Sequence, residues 1–124
     1  MIDFDNKGFF ARLKKVDLNS FDNIISDFLI DNEIIGTYQR VRDGIIFTNK
    51  RIIAINVQGI TGKKKDYTNI PYNKITTFSL ESAGIFDLDS ELEIYVSGLG
   101  KAKFQFSGNT NIKEICKMIS LNCL

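Results

Sequence analysis

The chain has 124 residues, of which 44% are hydrophobic and 25% charged, the proportions of one folded domain rather than of a disordered chain. Sixteen basic residues stand against fifteen acidic ones for a net charge of +1, which argues against an obligate nucleic-acid binder with its basic excess. The chain contains no histidine, so the commonest general base and the commonest neutral-pH metal ligand are both missing.

The spacing predicts a helical segment over 1–32, strands over 33–108 and a helix over 109–124, all in one domain. Phe9, Phe10, Leu13 and Val16 carry a sparse helical spacing within 4–16. Phe21, Ile24, Ile25, Phe28 and Leu29 then fall at i, i+3, i+4, i+7 and i+8, one continuous helical face. Asn19 and Ser20 stand ready to cap it.

After Glu33 the period changes to two. Ile35, Thr37, Gln39 and Val41 alternate with Tyr38 and Arg40. Asp43 and Gly44 mark a tight turn, because Gly accepts positive φ. Strands follow over 45–48 and 51–57, separated by a turn at Asn49 and Lys50. A Gly-bounded loop spans 58–62. The next strand, 63–70, is stopped by Pro71, which cannot donate a ladder hydrogen bond. Strands over 75–81, 91–97 and 101–107 complete seven. In the last of these, Ala102, Phe104 and Phe106 point inward.

Ile112, Ile115, Cys116 and Ile119 then give a 3.6-residue stripe, with Asn111 and Glu114 spaced as a capping box. Short turns between consecutive strands favour an antiparallel meander. The final helix must bury its stripe against that sheet. The expected class is mainly β, α+β by content: a seven-stranded barrel or two-sheet meander capped by a C-terminal helix.

Several stretches go further. The run from Val41 through Arg42, Asp43, Gly44, Phe47, Thr48, Asn49 and Lys50 to Arg51 resembles the RD-x-hydrophobic-x-FTNKR stretch of bacterial pleckstrin-homology-like domains. Gln58, Gly59, Thr61, Gly62, Lys63 and Lys64 match that family's QG-x-TGKK loop, and Ile70, Pro71, Tyr72 and Ile75 its I-P-Y-x-x-I turn. Phe78, Ser79 and Glu81, followed by Ala83, Gly84, Asp87, Asp89, Glu91 and Leu92, resemble its acidic block. The match runs over about 33–108; Asn56 and Val57 depart from it, an acidic or more polar pair being expected there.

The resemblance implies a pleckstrin-like barrel and no established activity. It also implies self-association into cyclic homo-oligomers. A pentamer is among the rings it allows. A hydrophilic surface between neighbouring subunits would then receive another protein.

Side chains suited to chemistry are few. Cys116 lies on the apolar stripe, where a thiol behaves as a small hydrophobe, and Cys123 is also toward the helix C-terminus, the wrong end to stabilise a thiolate. Asp87, Asp89, Glu91 and Glu93 would share one face of an extended segment and could hold a hard cation. The stretch lacks the glycine of a compact calcium loop, so a solvated or interface face fits better. The 59–64 loop lacks phosphate-loop spacing and precedes a strand rather than a helix. No catalytic residue, metal or cofactor is expected.

Arg42, Asp43, Lys50, Arg51, Glu81, Asp89 and Glu91 are the expected protein-interface residues. Basic and acidic edges on one chain favour head-to-tail contacts, and Arg binds carboxylate through two parallel bonds. Lys63, Lys64 and Lys65 form a basic cluster, the second choice, for an anionic phospholipid surface. Their bland role is to blunt a strand edge. The turn between the first two strands is too short to wrap a lipid headgroup. No apolar run reaches about 18 residues, the length needed for a membrane-spanning helix. The first residues show no secretory pattern, and a cytoplasmic location is the default expectation.

Overall fold

Period-two alternation places apolar side chains on one face of each strand, and that face has to be covered. The computed structural model shows how, for residues 1–3, 9–17, 21, 27, 29, 34–81, 89–108 and 112–123. The described strands are β1 (Phe9–Lys15), β2 (Ile34–Arg40), β3 (Asp43–Thr48), β4 (Arg51–Gln58), β5 (Lys64–Pro71), β6 (Ile75–Glu81), β7 (Ser90–Val96) and β8 (Gly100–Phe106). A 3-10 turn, Tyr72–Lys74, joins β5 to β6, and helix α1 spans Ile112–Cys123. The strands form one curled sheet in the order β5-β4-β3-β2-β1-β8-β7-β6. All neighbours are antiparallel except β1 with β8.

The described strands number eight rather than seven. The addition is β1, where the sequence suggested helix. It pairs with β2 on one side and β8 on the other, joining the two halves of the sheet. Its register with β8 slips between Phe10 and Leu13, where Arg12 takes φ 52°. Three steps on β1 thus match two on β8, from Phe104 to Phe106, which is a β-bulge. The extra residue turns both Phe10 and Leu13 inward, and both are buried. Most of the expected helix over 21–29, including Ile24, Ile25 and Phe28, and the capping residues Asn19, Ser20 and Asn111 lie outside the described residues.

The core lies between the two halves of the sheet. Tyr38, Phe47 and Phe106 meet at its centre, with Tyr38 edge-on to both phenylalanines at ring separations of 5.9 and 5.2 Å. Leu92, Ile94 and Phe104 extend it, and Ile115 and Ile119 of α1 seal it. Each fully buried Ile or Phe contributes roughly 1.5–3 kcal/mol. Ile2 joins the same core, its amide donating to the Thr68 hydroxyl at 2.8 Å. Strands β3 and β4 are apolar on both faces. Ile46, Ile53 and Ile55 form a second buried cluster on the outside, against which Phe21 and Leu29 pack. That explains their unbroken apolar runs.

Two turns show how sequence sets register. At the β3–β4 turn, the Thr48 hydroxyl accepts from the amides of Lys50 and Arg51 at 3.0 and 2.8 Å and donates to the Arg51 carbonyl at 2.8 Å. The β2–β3 turn is Val41 and Arg42, not Asp43 and Gly44, because Arg40 pairs with Asp43 and Gln39 with Gly44. Gly44 is there for space. A Cβ on it would lie 2.5 Å from the Phe21 ring and 2.8 Å from the Tyr38 carbonyl oxygen.

Candidate functional site

The β2–β3 turn and the 59–63 loop meet at one end of the barrel. Val41 has φ 55°, a left-handed conformation that a β-branched residue adopts only under strain. Arg42 follows, and its Nη1 donates to the Gly59 carbonyl at 2.7 Å. Gly59 and Gly62 both have positive φ, and the Gly62 amide donates back to the Gly59 carbonyl at 3.4 Å. Asp43 works within the chain: its Oδ1 accepts from the Val57 amide at 3.0 Å and the Asn56 side chain at 3.3 Å. The Asn56 that departs from the family pattern thus takes part in joining β3 to β4.

This end is basic. Arg12, Lys14, Arg40, Arg42, Lys63 and Lys64 are exposed, and Lys65 is half-buried. Two aliphatic side chains project among them, Val41 at 83% and Ile60 at 102% relative exposure. A cavity of about 250 Å³ opens beside Phe10, Leu13, Arg40 and Asp43. A second, of about 300 Å³, lies on the other side of the Val41 turn between Phe21, Arg42, Val57 and Tyr67.

The expected interface residues do not form one patch. Arg42 and Asp43 lie at the start of β3, whereas Lys50 and Arg51 lie beyond its end, about 20 Å away along the strand. Glu81, Asp89 and Glu91 belong to the other half of the sheet. Glu81 of β6 lies directly opposite Glu91 of β7, which in turn faces Gln105 of β8. Next to them, Glu93 pairs with Lys101 at 3.2 Å and approaches Lys103 at 3.9 Å. Glu91 and Glu93 do alternate with buried Leu92 and Ile94, while Asp87 lies outside the described residues. Among the described residues, no group of three or more acidic or cysteine side chains could hold a metal ion.

Both thiols are pushed up in pKa by burial. Cys123 donates to the Tyr72 carbonyl at 2.9 Å. Lys64 and Lys65 open β5 and Lys63 precedes it, close to the strand start the sequence implied, whereas Arg12, Val41 and Ile60 join the same end without having stood out in the sequence. An apolar residue in a turn and another in a Gly-bounded loop were the available signals.

No described helix is long and apolar enough to cross a membrane. The sequence profile of the bacterial PH domain matches residues 6–122. The chain is 43% identical over 103 residues to the uncharacterised protein YjqA of Bacillus subtilis, covering 81% of this chain and 82% of that protein. YozO, also uncharacterised and from the same organism, is 33% identical over 88 residues, covering 70% and 75%. Among solved structures, a DUF1696 family protein with a pleckstrin-homology domain from Shewanella loihica PV-4 superposes with a TM-score of 0.75 at 36% identity, covering 93% of this chain and all of that one. A pleckstrin-homology domain from Shewanella amazonensis SB2B gives 0.61 at 40% identity, covering 88% and 90%. With its curled β-sheet, its closing helix and a profile match over nearly its whole length, the chain belongs to the bacterial pleckstrin-homology domain family.

Proposed function

We propose that this protein is a non-catalytic interaction module that associates head-to-tail with its own copies into a ring and presents a polar surface to a protein partner. The observation that carries this reading is the open sheet. Among the described residues, no strand pairs with the outer edge of β5 or of β6. The two edges differ in charge: Lys63, Lys64 and Lys65 lie at the start of β5, and Glu81 ends β6 beside Glu91. Opposite edges on one chain favour a heterologous contact, which closes into a ring when the rotation permits. The outer face of β6, β7 and β8, bearing Thr77, Ser79, Glu93, Lys101 and Lys103, would supply the partner surface. Light scattering across a concentration series tests this. A mass several times that of one chain is expected; a single-chain mass at every concentration, even at low salt, would count against it.

A second reading is favoured by Val41 and Ile60. Two exposed aliphatics ringed by cations suit the surface of an anionic bilayer, where each Lys or Arg near the surface contributes about 1 kcal/mol. Sedimentation with phosphatidylserine vesicles tests it. Salt-sensitive binding that disappears on replacing Lys63, Lys64 and Lys65 favours the bilayer, and no binding removes it.

A further inference from the structure

We infer that the outer cavity beside the β2–β3 turn is a binding site for a small organic acid, a carboxylate carried on an aromatic or branched aliphatic body. The inference is independent of self-association. The cavity encloses about 300 Å³, the lower end of the range for small-molecule sites. Its floor is apolar, with Ile55 fully buried and Phe21, Val57 and Tyr67 half-buried around it, while Gln39 and Thr61 add polar groups to the lining. Such a floor takes the body of a ligand out of water.

Two cations reach the same space from different elements, Arg42 from the turn and Lys65 from β5. The Arg42 guanidinium is held in place by its bond to Gly59. That bond uses one of its five N–H groups, so donors remain for the paired bonds a carboxylate accepts. Gly62 at the mouth has φ 67°, a conformation that favours glycine, and a Cβ there would press on Val57 at 3.3 Å. An apolar floor with the cations at its rim suits an anion that carries an apolar body, because a bare phosphate would leave the floor uncovered.

Titration of the ¹⁵N-labelled full chain with 4-phenylbutyrate tests the site, with 4-phenylbutanol and acetate as controls. The expected result is saturable shifts at Arg42, Ile55, Val57, Lys65 and Tyr67, with both controls at least about tenfold weaker. R42Q and K65Q should each weaken binding about fivefold or more, while K63Q/K64Q leaves it unchanged. Because Arg42 also ties two loops together, the wild-type comparison of acid with alcohol stands independently of how R42Q folds. Equal binding of the alcohol, shifts clustered elsewhere, or no shift up to about 10 mM acid overturns the proposal. Loss of binding in K63Q/K64Q also overturns it, since it assigns the anion to the bilayer-facing lysines.

Discussion

Arg42 Nη1 donates to the Gly59 carbonyl at 2.7 Å, so the β2–β3 turn and the loop that follows β4 form one connected structure. The adjoining residue, Asp43, fastens the same turn to Val57 from its other side. Two hydrogen bonds from neighbouring residues thus hold a strained, exposed Val41 at the tip of the barrel. The strain costs of order 1–2 kcal/mol.

Val41→Gly relieves that strain but gives back about 0.5–1 kcal/mol through the greater freedom of the unfolded chain. The variant should therefore be as stable as the parent or slightly more so in urea unfolding. A loss of more than about 1 kcal/mol would show that the Val41 side chain makes contacts that outweigh its backbone conformation.

Gly44→Ala should do the reverse. The added methyl meets the Phe21 ring and the Tyr38 carbonyl at distances that real Cβ atoms do not show. A cost of about 1–3 kcal/mol is expected from overpacking. Phe21→Ala alone should also cost stability, and the double variant should lose less than the sum of the two, because one of the two obstructions is then gone. Thermal unfolding of the single and double variants checks this.

Tyr72 is buried, and its hydroxyl donates to the Thr48 carbonyl at 2.6 Å, joining the 3-10 turn to the β3–β4 hairpin. Tyr72→Phe keeps the ring and leaves that carbonyl without its donor. It should lower stability by about 1–2 kcal/mol with little change in structure. Chemical denaturation with a circular dichroism readout measures both.

Asp66 fixes part of the acid response. Burial alone would raise its pKa, but the Met1 amine and the Thr68 hydroxyl donate to it and the amine's charge adds to the effect, so the net shift is downward. A carboxylate with a lowered folded-state pKa contributes stability above its unfolded value, about 3.9. That contribution is lost as pH falls through the lower folded value. Asp66→Asn should therefore reduce stability at pH 7 and flatten the decline below about pH 4. Urea midpoints between neutral and acid pH give the comparison.

The sequence carried the strands from β2 to β8 and α1 in its alternation and its stripe, because each buries one regular face. It hid β1 for a specific reason. Phe10 and Leu13 are three residues apart, which in a regular strand puts them on opposite faces and in a helix on one. Only the bulge at Arg12 lets a strand bury both. The turn was displaced by two residues because Gly44 looked like a φ requirement and is instead a close-packing requirement. Of the site, the lysines starting β5 were legible as a cluster. The gathering of Arg12, Lys14 and Arg40 around Val41 was not, since it depends on β1 lying beside β2.

Self-association through oppositely charged edges is tested most directly by sedimentation of two charge-reversed variants, K63E/K64E and E81K/E91K, alone and mixed. Each alone brings like charges together at every contact and should sediment as a single chain. An equimolar mixture restores opposite charges at every contact between unlike variants and should form larger assemblies that disperse at high salt. If both variants assemble as the parent does, or if the mixture stays monomeric while the parent does not, the edges are not where the copies meet.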